Sequence, residues 1–206
     1  TGNNDLSKEP VNQLAGIDLT WQLFDAPVAL YGQIVGEDED KFFPNCLMFQ
    51  YGIETWKKLD DSSLRIFAEY ADLTSYWWTD DLRTRNISYS HHIYKDGYRY
   101  KGRPLGHWAD QDSQIFSLGG LVLYDHGVGW GSTLRTGKLN EDGLGENSTV
   151  SPNSSTDFFS VDFFNVRQYK QYSLSLYTTL GWESLRPNNK NKDNGISGFL
   201  SLKRTF

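Results

Sequence analysis

Gly195 to Phe206 reads GISGFLSLKRTF. Ile196, Gly198, Leu200, Leu202, Arg204 and Phe206 fall on one side, and Ser197, Phe199, Ser201, Lys203 and Thr205 on the other. A strand sends alternate residues to opposite faces, so the segment has one mostly apolar face and one mostly polar face. Its length suits a tilted membrane-spanning strand of about 9–11 residues. It ends the sequence on an aromatic residue, as the closing strands of outer-membrane barrels do. Alone, the stretch also fits an edge strand of a soluble sandwich, and the rest of the sequence has to decide.

The same alternation recurs along the 206 residues. It predicts strands over Asn12–Leu23, Val28–Gly36, Cys46–Lys57, Leu64–Leu73, Asp112–Tyr124, Val128–Lys138, Asp157–Gln168, Tyr172–Glu183 and Gly195–Phe206. Tyr172–Glu183 is the cleanest, with Leu174, Leu176, Leu180 and Trp182 set against Ser173, Ser175, Thr179 and Glu183. The predicted connections alternate in length. Asp25–Pro27, Lys58–Ser63, Asp125–Gly127 and Tyr169–Gln171 are short. Glu37–Asn45, Thr74–Gln111, Leu139–Thr156 and Arg186–Asn194 are long. Short turns at one end and long loops at the other are the habit of transmembrane β-barrels. A sandwich has no reason to sort its loops in this way. Mid-strand charges on the polar faces (Asp18, Glu54, Arg65, Glu69 and Asp162) suit a wet lumen.

Composition agrees. Charged residues make up 22% of the chain and the mean hydropathy is -0.57, with no apolar run approaching the roughly 18 residues of a membrane helix. Barrel strands are apolar on one face only, so their signal is weak in such averages. Aromatics reach 15%, as interfacial girdles require. A net charge of -6 argues against a nucleic-acid partner. Cys46 is the single cysteine, which excludes an intrachain disulfide framework. The first residues, TGNNDLSKEP, do not look like a leader. With an odd count of nine strands and Phe206 at the periplasmic end, Thr1 is expected outside the cell. Bacterial barrels close with even numbers of strands, so the sequence reads as the C-terminal part of a longer, monomeric barrel.

Alternation fails from Thr74 to Gln111. Loops of this length are usually functional or disordered, and this one is too aromatic for plain disorder. It contains GYRYKGRPLGHWADQDS, from Gly97 to Ser113. This run, together with YGQIVGEDED at Tyr31–Asp40 and the aromatic C-terminus, resembles the capsule-assembly Wzi family of Gram-negative outer-membrane proteins. The resemblance covers most of the chain and implies the C-terminal half of a family member. It implies a barrel of about 18 strands behind a helical periplasmic region. It also implies a non-enzymatic lectin that holds capsular polysaccharide or exopolysaccharide on the cell surface. Arg204 departs from the pattern, since an apolar residue is usual there, but near an interface an Arg can snorkel.

The loop's chemistry suits glycan recognition. Tyr94, Tyr98, Tyr100 and Trp108 can cover the C–H face of a sugar while their polar tips hydrogen-bond. Arg99 and Arg103 can hold an acidic substituent with two donors each. Asp110, Asp112 and Glu37 can accept from hydroxyls, and His107 completes the candidate set. The plainer reading is that these charges tie the loop over the barrel mouth. Alternatives are a channel selective through its lumen charges and a surface enzyme pairing His107 with Asp110 or Asp112. A Ca²⁺ site from Asp38, Asp40 or Asp110 and Asp112 is a further one. No nucleophile or zinc motif is present, and the reading requires neither cofactor nor metal. The expected partners are surface polysaccharide and outer-membrane lipid.

Overall fold

A computed structural model describes residues 14–40, 43–75, 86–90, 97–146, 148–188 and 190–204, with the side chains of 37–40, 43–46 and 170 outside that description. Nine strands form one antiparallel sheet in sequence order, each hydrogen-bonded to the next. They are β1 (Leu14–Gln22), β2 (Val28–Asp40), β3 (Phe43–Lys58), β4 (Ser62–Asp72), β7 (Gln114–Tyr124), β8 (Val128–Leu139), β9 (Thr156–Tyr169), β10 (Leu174–Pro187) and β11 (Asp193–Arg204). A separate two-stranded hairpin, β5 (Arg99–Tyr100) and β6 (Arg103–Pro104), lies in the long loop. Among the described residues β1 and β11 each pair with a single neighbour, so the sheet is open at both edges.

The register carries the two-faced pattern across all nine strands. Trp21, Leu30, Ile53, Ala68, Leu118, Leu134, Val161, Trp182 and Ile196 stand side by side in one unbroken apolar row. One residue along, on the opposite face, the row is Thr20, Tyr31, Gly52, Glu69, Ser117, Arg135, Ser160, Glu183 and Gly195. The apolar face is the uncovered one: Ile53, Leu118, Leu180 and Ile196 are all exposed. A water-soluble sheet does the reverse and buries its apolar face.

The polar face is internally matched. Arg65 pairs with Glu54 and Arg135 with Asp162. Gln33 Nε2 donates to Asp18 at 2.7 Å, and Tyr31 Oη donates to Glu69 at 3.0 Å. That last bond crosses β3, because Tyr31 lies over Gly52, where a Cβ would come within 2.4 Å of the ring. Phe67 covers Gly119 and Phe164 covers Gly131 in the same way. Such aromatic cover over a strand glycine restores packing that the missing side chain forfeits.

The connections sort by end as expected, with two of the predicted long ones corrected. Glu37–Asn45 is not a long loop. Glu39 pairs with Pro44 and Asp40 with Phe43, so β2 and β3 continue through it. From Phe43 to Met48, β3 pairs only with β2, because its pairing with β4 starts at Phe49 opposite Asp72. The pair therefore projects past its neighbour as a ribbon. The alternation that marks a strand in sequence is absent from its acidic run, Glu37 to Asp40. β10 likewise runs on to Pro187, which shortens the connection predicted at Arg186–Asn194. Arg204 ends β11 opposite Leu174, beside the turn at Lys170–Tyr172.

The small apolar core sits on the polar face, at the long-loop end. Ile115, Leu139 and Phe158 from the sheet meet Tyr89 and Ala109 from the loop. We expect Gly119→Val, which must displace the Phe67 ring at 2.3 Å, to destabilise the sheet by about 1–3 kcal/mol. Gly120→Ala, on the opposite face with its nearest neighbour at 3.7 Å, should stay within about 0.5 kcal/mol. Equilibrium unfolding in guanidinium of both variants measures the difference.

Candidate functional site

The long loop is built around the β5–β6 hairpin. Lys101 and Gly102, between its strands, both have positive φ (50° and 72°), which defines a two-residue type I′ turn. The hairpin is pinned to the preceding segment, with Tyr98 N–H donating to Tyr89 O at 3.1 Å. Gly97 makes this approach possible, since its φ is +53° and a Cβ there would lie 2.0 Å from Tyr89 O.

Arg99 turns inward from the hairpin. Its side chain is 5% exposed and pairs with Asp110, which is fully buried. Nη2 and Nε of Arg99 donate to the carboxylate at 2.8–3.2 Å. The remaining guanidinium donors reach Tyr89 O at 2.8 Å and Gln111 Oε1 at 3.1 Å. Asp110 also accepts from the backbone and hydroxyl of Thr149, in the β8–β9 connection, at 2.7 and 2.8 Å. Desolvating two charges is costly, and such a pair is tolerated only when its geometry is good and its other donors and acceptors are met. Here the bonds around the pair join three stretches of chain.

Asp112 follows the same inward course. It is fully buried, and its Oδ2 accepts from Asp142 N–H at 3.0 Å. Burial, reinforced by the neighbouring Asp142 and Glu141 carboxylates, raises its pKa to about 7. His107 is half-buried, and its burial lowers its pKa, so the ring is neutral at pH 7. Its Nδ1 accepts from Ala109 N–H at 3.3 Å. Asp110 is engaged by Arg99 and Thr149 and Asp112 by Asp142, so the acid–base pairing considered for His107 is not assembled among the described residues.

Beside this tied base lie two cavities on the polar face. The larger, about 580 Å³, is lined by Gln33 and Gln50 from the sheet and by Tyr98, Leu105, His107 and Trp108 from the loop. The smaller, about 260 Å³, is lined by Trp108, Arg135, Phe158, Ser160, Asp162 and Glu183. Trp108 borders both. Its ring packs at a tilt against Phe158 at 5.0 Å and His107 at 5.6 Å, yet stays 39% exposed.

The candidate residues thus separate into two groups. Tyr98, His107 and Trp108 line a cavity, while Tyr100 and Arg103 are exposed on the hairpin tip. Arg99, Asp110 and Asp112 are interior, where they hold the loop and are not presented to a glycan. The Glu37 backbone pairs within the β1–β2–β3 ribbon, and its side chain lies outside the described residues, as does Tyr94. Gln33, Gln50, Tyr89 and Thr149 were not foreseen. The two glutamines alternate as polar-face strand residues, which was a readable signal. Thr149 carries no local signal, since only tertiary folding brings it to Asp110.

A two-faced antiparallel sheet whose polar face is capped at one end by an aromatic loop defines an all-β protein. The family described as Capsule assembly protein Wzi matches residues 1–195, and the chain belongs to that family. It is similar to a solved chain described as Wzi, an outer membrane protein involved in group 1 capsule assembly in Escherichia coli and a carbohydrate binding beta-barrel. The two share 28% identity and a TM-score of 0.76, over 97% of this chain and 44% of that one. A relative from Klebsiella pneumoniae, described as an uncharacterized 55.8 kDa protein in the cps region, is 34% identical over 141 residues, which is 67% of this chain and 27% of the relative. The chain spans less than half the length of the solved relative.

Removing Arg99 would leave Asp110 buried without its countercharge, a loss of about 3–5 kcal/mol. We expect Arg99→Ala to speed proteolytic cleavage within residues 97–113 by about 100-fold or more, with the sheet still assembled. Arg103→Ala, at an exposed position, should leave the cleavage rate unchanged.

Proposed function

We propose that this chain forms the C-terminal part of a monomeric outer-membrane β-barrel that holds capsular or extracellular polysaccharide on the cell surface without modifying it. The observation that carries the reading is Trp108, a half-exposed indole between two cavities on the polar face, immobilised from behind by Phe158. A rigid aromatic face takes the C–H side of a sugar at little entropic cost. Gln33 and Gln50 on one side, and Ser160 and Glu183 on the other, supply donors and acceptors for its hydroxyls. Tyr100 and Arg103 on the hairpin tip form an outer rim for the same polymer. The carbohydrate-binding description of the solved relative supports this assignment.

The apolar face is the lipid face on this reading. Along β7 the outward aromatics Phe116 and Tyr124 bracket the band, a rise of roughly 27 Å at about 3.4 Å per residue before tilt. The apolar band of a barrel is about 25 Å tall. The edges β1 and β11 would then pair with strands from the rest of a larger barrel, since open edges are not tolerated in lipid.

Two experiments test these statements. In a deletion strain carrying Trp108→Ala, total polysaccharide should stay constant while its cell-bound share moves to the medium. Affinity of the purified protein for the intact polymer should fall about 10- to 30-fold. A fall in total polymer, or a change in its chain length, would instead indicate export or processing and overturn the retention reading. For the lipid face, Leu180→Arg at mid-band should cost about 2–4 kcal/mol of barrel stability, read by heat-modifiable migration. Ser197→Arg, exposed on the polar face, should migrate as wild type.

A further inference from the structure

Three segments far apart in sequence meet at the loop end of β4, β7 and β8. They bring together Asn86, Asp112 and Asp142. Asn86 Nδ2 donates to Asp142 Oδ2 at 2.9 Å, and Asp142 N–H donates to Asp112 Oδ2 at 3.0 Å. Leu144 N–H occupies the other Asp142 oxygen at 2.8 Å, and the Asp112 and Asp142 carboxyls lie within hydrogen-bonding reach of each other. What remains is acceptors only. Asp112 Oδ1 and Asn86 Oδ1 are the two buried side-chain polar atoms that lack a hydrogen-bond partner among the described residues, and Asp112 is fully buried. Leaving a buried acceptor unmet is costly, and more so when it is charged.

We propose that Asn86, Asp112 and Asp142 form a binding site for a hard divalent cation of the Ca²⁺ type. A proton shared between the two carboxyls would not reach the amide oxygen of Asn86. A water could donate to both orphan oxygens but would bring no positive charge to the two neighbouring carboxyl groups. A divalent cation meets both oxygens and the charge together. The donors are carboxylate and amide oxygens alone, with neither imidazole nor thiolate, which selects Ca²⁺ over softer transition metals. Gly145 packs closely on this corner: a Cβ there would come within 2.4 Å of Gln111 Nε2 and within 2.9 Å of Asn86 Oδ1 and Asn140 Oδ1. The ion would clamp the loop after β4 to the segment before β7 and to the connection after β8, independently of the Arg99–Asp110 pair.

The test is calcium binding to the full-length protein in detergent micelles, stripped with EDTA, dialysed and titrated with CaCl₂ by isothermal calorimetry with no glycan present. We expect one saturable site with a dissociation constant of about 10⁻⁴ to 10⁻³ M, the range of extracellular modules. Asp142→Asn should weaken it by about 100-fold and Asn86→Ala by about 10-fold. Asp125→Asn, in an exposed ion pair at the opposite end of the sheet, should bind as wild type. No saturable uptake by protein that still migrates as a folded barrel would overturn the proposal, as would undiminished affinity in Asp142→Asn. If Asp142→Asn fails to assemble, Asn86→Ala decides, because it removes a neutral ligand, and unchanged affinity there overturns the proposal equally. Because the readout is metal uptake, a glycan-binding failure elsewhere in the protein would not affect it.

Discussion

A slip of one residue between any two of the nine strands would exchange every side chain between the faces. The fold cannot survive that exchange. An apolar row runs unbroken from Trp21 to Ile196, and a polar row runs one residue away from Thr20 to Gly195. A single slipped pair would set Glu69 or Arg135 among exposed leucines and turn the lines of the apolar band inward. Register is therefore specified at each of the eight pairings by the same free-energy difference. The glycines refine it. Tyr31 reaches Glu69 across β3 only because position 52 has no side chain, and that bond forms in one register alone.

The loop obeys a different logic. Its described part gives Tyr89 and Ala109 to the core and is otherwise held by polar groups whose donors and acceptors are nearly all met. Several of its residues (Asn86, Tyr89, Lys101, Asp110 and Asp112) adopt positive φ. For a residue such as Tyr89 that conformation is unfavourable and persists only where the surroundings over-determine it. Its carbonyl accepts from both Tyr98 N–H and the Arg99 guanidinium, which is that over-determination in atomic terms. The buried ion pair thereby fixes the backbone that presents Tyr98, His107 and Trp108.

The sheet was legible in the sequence because a period of two is a local property. The nine predicted strands match the nine observed to within a few residues at most ends, and the short turns fall where Pro, Gly and Asp placed them. The Glu37–Asn45 ribbon was not legible, because Glu37 to Asp40 is an acidic run that carries no alternation of apolar and polar residues. The hairpin at Arg99–Pro104 left a trace in the Lys101-Gly102 pair between aromatic and basic residues, a turn signal overlooked inside a long loop. The residue types in the loop announced a polar site. They could not say which carboxylates face a ligand and which are consumed within, because that depends on Thr149 and Asp142, which lie 39 and 30 residues from their partners.

That division bears on how a polymer would be held. Arg65–Glu54 and Arg135–Asp162 are paired on the polar face, and Arg99–Asp110 is buried beneath the loop. The larger cavity beside Trp108 therefore offers mainly aromatic and aliphatic faces with the amides of Gln33 and Gln50, and the smaller one offers hydroxyls beside the Arg135–Asp162 pair and Glu183. Contacts of that kind are individually weak and tolerant of sequence along a glycan. A repeating polymer presents the same unit many times, so a dissociated repeat is replaced at high effective concentration by its neighbour. Retention of a long chain then needs no tight site, and a surface of matched charges avoids trapping small anions in its place. Uncompensated arginines would give stronger single contacts, but they would be screened by salt and would repel no competitor.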